Sequence, residues 1–507
     1  MKESIRKRGM VVFVSFVLCA LAYSLMITNE CTNVWDGLWA GSVDGGFQWV
    51  LTIGRWFWPI ISWSRLLIST EPFISLMTIA LFVLSGYLIL SMFSLTDSKA
   101  AYFVPLALGI NVTVCISLSY RYMSPTFGTA LLLNVFGIWL LKTKRHWWDG
   151  VLATGSFVLG LGSYQAYIGC ALVLLLACII QMLLKQEEKR TIIFFVLRTL
   201  ASVLLACAVY KILWDISLSL THLEPANYRG ANHASIGNIL IHLPQRIINA
   251  YIDFFTYFTG KSFPHNAFQS TFLYPVAAAA FALLSLLPAV RHFRVSKGAA
   301  IIMLACFLCL PIAANVSLLL APEAGTTDVL MALPMVMIAP VLLCICFQNE
   351  SQNRLLRCVP LLLISFFLYG SFIQCSIEQH TMLHGRESTL SFMDRVVGNL
   401  EANDMIHSEN EIIFLGRPSD NPLFMKDELW ALSNERSRYG DLPYSNDTCV
   451  MSYRGVARDG GYNLPLSEDY TVWHEMAAKP ESCALPAYPA EGYFQIIDGY
   501  LVVKLSE

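Results

Sequence analysis

The 507-residue chain contains neither G-x-x-x-x-G-K-[ST] nor G-x-G-x-x-G, so nothing in it supports a phosphate loop or a dinucleotide fold, and no nucleotide cofactor is expected. D-x-D is also absent, the short acidic motif with which many enzymes hold a metal against a nucleotide sugar, which disfavours a soluble donor of that kind. H-E-x-x-H, paired C-x-x-C and G-x-S-x-G do not occur; Cys306 to Cys309 is a lone C-x-x-C inside an apolar run and reads as packing. Charge is scarce as well. Charged residues make up 14% of the chain against roughly 25% in soluble domains. The net charge of -2 comes without a basic stripe, which excludes a nucleic-acid partner.

What the chain has instead is apolar length. Hydrophobic residues account for 56% and the mean hydropathy is +0.55, and a bilayer is crossed by roughly 20 consecutive apolar residues. Nine runs meet this: about Met10 to Thr28, Pro72 to Ser94, Ala101 to Ser119, Pro125 to Leu141, Ile168 to Leu184, Ile192 to Leu213, Phe272 to Val290, Ala299 to Leu320 and Leu330 to Phe347. Cys358 to Cys375 adds a tenth. Gly150 to Gly162 is short and reads either as a span or as a re-entrant half-helix. Counting it as a span places sixteen Lys and Arg in the N-terminus and alternate loops, against six (Arg55, Arg65, Arg121, Arg229, Arg246, Lys261) on the other side. Positive residues concentrate in cytoplasmic loops. The expectation is therefore a polytopic α-helical membrane protein of about 11 transmembrane helices, N-terminus inside and C-terminus outside. No A-x-A-type cleavage site precedes Asn29, so the first run reads as a retained helix.

The composition changes after Cys375. Residues 1-375 form the expected membrane domain, with outer loops 29-71 and 214-271, and Ser376 to Glu507 forms an extracytoplasmic α+β domain. Ser388 to Ala402 has helical periodicity, whereas Glu411 to Leu415 and Tyr493 to Leu505 read as strands, the latter folded at Asp498-Gly499. Eleven of the 14 cysteines lie in or beside apolar runs, but Cys449 and Cys483 fall in the outer tail, where a disulfide is permitted. Ile239 to Phe258 is amphipathic and suits either the membrane interface or packing on the outer domain.

Chemistry concentrates in Trp35 to Pro59 and its flanks, where Glu30, Asp36, Asp44, Arg55, Arg65 and Glu71 share one outer loop with Trp35, Trp39, Trp49, Trp56 and Trp58. Ionisable residues at a membrane edge are expensive to desolvate and mark function by default, although an aromatic belt with incidental charges also fits. Further outer-side candidates are Tyr164, Gln165 and Tyr167 at a span break, and Tyr228, Arg229 and His233 in the large loop.

DGLWxGS followed by GRWxWP, SYQAY (Ser163 to Tyr167), NYRG (Asn227 to Gly230) and the terminal VVKLSE together resemble the bacterial glucosyltransferase type II family, associated with O-antigen glucosylation and grouped with the polytopic GT-C glycosyltransferases. The resemblance implies a sugar donor, glucose, carried on a polyprenyl phosphate. The sugar would move at the outer face of the cytoplasmic membrane to a polysaccharide or lipid-linked oligosaccharide acceptor. Such transfer needs a carboxylate to take the acceptor proton and cations to steady the leaving phosphate. Asp36, the acidic residue of the first outer loop, is the expected base, with Asp44 second as partner or metal ligand and Glu30 third; an Asp-Gly turn is the competing account of Asp36. Arg55 is the expected phosphate ligand, since guanidinium offers bidentate contacts, and Arg229 is second. Tyr164, Gln165 and Tyr228 are candidates for a substrate groove. Lys504 either reaches back toward the site or simply faces solvent. A divalent cation stays open. A transporter or flippase of lipid-linked saccharides, or a polysaccharide polymerase, is the alternative, but the acidic residues avoid the spans and gather outside.

Overall fold

The computed structural model describes all residues but 1, 145, 228–235, 260–271, 321–326, 349–353, 407–408 and 444–447. Tyr228, Arg229 and His233 lie outside the described residues.

The protein is mostly helical. In chain order the principal helices are α1 (Lys2–Ala22), α2 (Phe73–Met92), α3 (Phe103–Gly109), α4 (Val112–Ser119), α5 (Ser124–Thr143), α6 (Trp147–Ser163) and α7 (Ile168–Leu184). There follow α8 (Lys189–Thr221), α9 (Ile236–Thr259), α10 (Leu273–His292), α11 (Lys297–Ala314), α12 (Ile338–Cys346), α13 (Arg354–Ala402) and α14 (Thr448–Gly460). Among the described residues, seven are long and apolar enough to cross a membrane: α2, α5, α7 with its leading turn, α8, α10, α11 and α13. The count rises to eight if α3 and α4, bent by 46° at their junction, are one span.

The departures from eleven uninterrupted spans have local causes. Between α3 and α4 the chain extends at Ile110 and Asn111, and the Asn111 side chain caps α4 by accepting the Val114 N–H at 3.0 Å. The buried Tyr23 hydroxyl, just past α1, donates to the freed Gly109 carbonyl at 2.9 Å. Gly150 to Gly162 forms α6, a 17-residue helix that ends where Tyr164 turns extended. Leu330 to Phe347 is divided near Met337 into a short turn and α12.

The core of the bundle is built on α5 and α7, whose apolar windows are 72% and 83% buried, whereas those of α8 and α10 are only 28% buried. The side chains that α8 leaves outside, among them Ile193, Phe194, Leu197 and Leu204, are apolar and fit hydrocarbon rather than water. On α9 the pattern is inverted relative to a soluble helix. Ile248, Ile252 and Phe255 are exposed while Arg246 and Asp253 are buried.

The expected boundary at 375/376 falls inside α13, which runs unbroken from the bundle into the C-terminal region. There a second apolar core forms around a three-stranded sheet of order β1-β3-β2: β1 (Ile412–Leu415), β2 (Phe494–Ile497) and β3 (Tyr500–Lys504). Asp498 and Gly499, both at positive φ, make the hairpin turn between β2 and β3, and β1 lies parallel to β3. Val34 and Leu38 of the first outer loop belong to this second core. The permitted Cys449–Cys483 disulfide is not formed: both thiols are free, Cys449 buried in α14 and Cys483 exposed.

Candidate functional site

Asp36 opens a four-residue helical turn, Asp36–Trp39. Asn33 fixes that turn: its Oδ1 accepts the N–H groups of Trp35 at 3.0 Å and Gly37 at 3.1 Å, while its Nδ2 donates to the Ser119 carbonyl at 3.0 Å. Gly37 is required here by close approach, because a Cβ would meet Thr32 and Asn33 and come within 2.6 Å of the Ser119 oxygen. The Asp-Gly pair is thus a turn, as one reading expected, and the turn presents the Asp36 carboxylate.

Arg55 is placed by a second glycine. Gly54 has φ +84°, and a Cβ there would run into Tyr210 and Gln165. Gln165 donates Nε2 to the Ile53 carbonyl at 2.8 Å and to the Tyr210 hydroxyl at 2.9 Å, Tyr210 donates to the Gly54 carbonyl at 3.1 Å, and Trp214 Nε1 donates to the Leu51 carbonyl at 2.7 Å. Helix α8 and the break before α7 therefore clamp the loop backbone on the N-terminal side of Arg55. The guanidinium lies 4.8 Å from the centroid of the buried Tyr164 ring, and its buried Nε has no hydrogen-bond partner.

Around Asp36 the structure gathers Arg55, Tyr122, Arg436 and Asp328. Burial pushes the Asp36 carboxyl above the ordinary aspartate range, and the negative charge of Asp328 adds to the push; Arg436, Arg55 and a hydrogen bond from Tyr122 pull the other way without overcoming it. The Tyr120 and Tyr122 hydroxyls are also pushed up by burial, so both stay protonated donors. Arg436 comes from the C-terminal region. It pairs with Asp328 at 2.5 Å, donates to the Tyr120 hydroxyl, and lies 5.7 Å from the Trp35 ring centroid. Its carbonyl accepts the Val34 N–H at 2.9 Å, and Arg458 of α14 donates to the Leu38 carbonyl at 2.6 Å. Asp328 is steadied from behind: Asp253 of α9 accepts the Thr327 N–H at 3.2 Å, and Thr327 Oγ1 donates to Asn315 at 3.0 Å.

Asp44 is elsewhere engaged. It forms a fully buried ion pair with Arg65 and accepts hydrogen bonds from Ser62 at 2.5 Å and from Ser69. Arg65 then donates to the Tyr122 carbonyl at 2.5 Å. Asp44 thus braces the residue whose hydroxyl bonds Asp36, and both its oxygens are engaged by Arg65, Ser62 and Ser69. Glu30 pairs with Arg121 at 3.0 Å. Lys504 donates to the carbonyls of Cys483 at 3.2 Å and Leu485 at 2.8 Å and pairs with Glu507 at 3.0 Å, all within the C-terminal region. It does not reach back. Among the described residues no group of three or more His, Cys, Asp and Glu side chains converges as a metal site would require.

The site also holds residues that the sequence reading passed over. Tyr120, Tyr122 and Asp328 stand at the ends of apolar runs, so the membrane-edge polarity that singled out the first loop applied to them equally. Arg436 carried no such signal within a tail rich in arginine.

A family model described as Glucosyl transferase GtrII matches residues 40–345. The chain belongs to this family. It is a helical membrane glycosyltransferase that uses a glucose donor and an acceptor. No curated protein and no solved structure matches it. The GtrII match includes Asp44, Arg55, Tyr164, Gln165 and Asp328, and it starts four residues after Asp36 and ends before Arg436.

Proposed function

We propose that the protein transfers glucose from a polyprenyl-phosphate carrier to a cell-surface polysaccharide, or its lipid-linked precursor, on the outer face of the bacterial cytoplasmic membrane. The chain is read as crossing eleven times, N-terminus inside, with residues 376–507 as the outer domain. Asp36 takes the proton of the acceptor hydroxyl as its oxygen bonds to the anomeric carbon. The bond from that carbon to the phosphate oxygen breaks, and the electron pair leaves on the phosphate. Arg55 receives the phosphate, since its Nε is unpartnered and its planar fork suits phosphate oxygens. Arg436 is already paired to Asp328 and supplies fixed positive charge next to Asp36.

The observation that carries this reading is the half-buried Asp36 carboxylate between two guanidiniums and a tyrosine hydroxyl, in a loop joined to an apolar bundle. A lipid carrier fits that setting, because its chain stays in hydrocarbon while its phosphate meets cations at the edge. The test is transfer from radiolabelled polyprenyl-phosphate sugars in membranes, comparing the wild type with Asp36→Asn. Full activity of the variant removes the base, and no transfer from any polyprenyl donor removes the carrier. EDTA in the same assay decides whether a divalent cation takes part.

A further inference from the structure

Arg436 can act next to Asp36 only if the short 3₁₀ turn that carries it, Glu435–Ser437, is held in place. The holding group is a fully buried carboxylate on another element, Glu378 of α13. Its two oxygens accept the Asn434 N–H at 3.1 and 3.0 Å. Gln374, one helical turn earlier, donates Nε2 to Glu378 at 2.6 Å and to the Leu432 carbonyl at 3.0 Å. Asn434 passes the constraint on, because its Oδ1 caps the turn by accepting the Arg436 N–H at 3.0 Å. Arg438 closes the segment by donating to the Ser433 carbonyl at 2.9 Å.

A carboxylate in so dry a place is expensive, and packing alone would be served better by an apolar side chain. What an acidic group adds is the capacity to accept several N–H and O–H donors at once in a fixed direction. We propose that Glu378 is a positioning residue for the glucosyl transfer: through Asn434 it aims Arg436 at Asp36, so that the long helix leaving the membrane sets the geometry of the reaction centre. The proposal rests on the reading of the Asp36 cluster as that centre.

The test is a double-mutant cycle on the full-length protein in membranes, with kcat and donor KM measured separately for wild type, Glu378→Gln, Arg436→Ala and the double variant. Gln keeps the shape but turns one acceptor into a donor facing the Asn434 N–H and the Gln374 amide. Glu378→Gln is expected to lower kcat on the order of 10²-fold, as an ångström-scale misplacement does, with little change in donor KM. In the Arg436→Ala background the same substitution is expected to add no further loss. Losses that multiply independently, or a fully active Glu378→Gln beside an inactive Arg436→Ala, overturn the proposal. Full activity of Arg436→Ala removes the reading of the site and the proposal with it. If Glu378→Gln does not fold, Asn434→Ala replaces it in the cycle, since it removes the cap on Arg436 and leaves the buried carboxylate in place. Its kcat loss is then expected to vanish in the Arg436→Ala background, and persistence of that loss overturns the proposal.

Discussion

In the proposed transfer Asp36 is the base, and its environment sets its pH behaviour. Burial raises its pKa above the ordinary aspartate value of about 3.9, so the basic form is populated only as pH rises through the raised value. The acid limb of kcat/KM against pH is therefore expected above the range of an ordinary aspartate. Arg55→Gln is expected to move it higher still, because a cation that favours the carboxylate is gone. Arg55→Lys keeps that charge and loses the bidentate fork, so the limb should stay while donor KM rises. Asp36→Asn is expected to lower transfer by roughly 10²- to 10⁴-fold, the usual worth of a general base. The same shift has a sign for stability: the contribution of Asp36 is fully present below its unfolded pKa and is lost as pH rises through the raised folded value.

At the scale of elements, the first outer loop is a set of turns pinned from three sides. The Asp44–Arg65 pair braces it internally, with both side chains 1% exposed. Breaking a buried pair by removing one partner leaves an uncompensated charge and costs about 3–5 kcal/mol. Asp44→Ala is accordingly expected to lower thermal stability in detergent by that order, and replacing both partners together is expected to cost less than the sum. Gly54→Ala should also destabilise, since φ +84° and the Tyr210 hydroxyl both oppose a side chain. An Asp44 variant with wild-type stability and no transfer would instead assign it to the chemistry. The helices of the bundle and the three strands were legible, whereas α14 was not read from the sequence. Apolar runs gave the helices, Asp498-Gly499 gave the hairpin, and the 390–400 periodicity gave the upper part of α13. The break capped by Asn111 was not legible, because a capped bend inside an apolar run leaves the composition unchanged.

On the scale of the whole molecule, bundle and C-terminal region meet at the proposed site, with Val34 and Leu38 buried in the second core and Arg436 bonded to the first loop. Cys483 is exposed and Cys449 buried. In sealed vesicles of known orientation, a membrane-impermeant maleimide is expected to label Cys483 only from the face that carries the C-terminal region, and to reach Cys449 only after unfolding. Loss of the signal in Cys483→Ser identifies the labelled thiol. Labelling from the cytoplasmic face would reverse the proposed topology.

The sequence by itself determined that this is a helical membrane protein, its family, and the loop in which charge and tryptophan concentrate. Those properties follow from composition, run length and short motifs, which are local. Only the tertiary structure decided which charges meet. Asp36 and Arg436 are 400 positions apart and converge because α13 carries the chain out of the bundle and the segment after it returns to the first loop, where the Arg436 carbonyl accepts the Val34 N–H. Asp44, eight residues from Asp36, is drawn instead into a buried pair with Arg65, since a carboxylate in a dry place takes the cation that the fold brings to it.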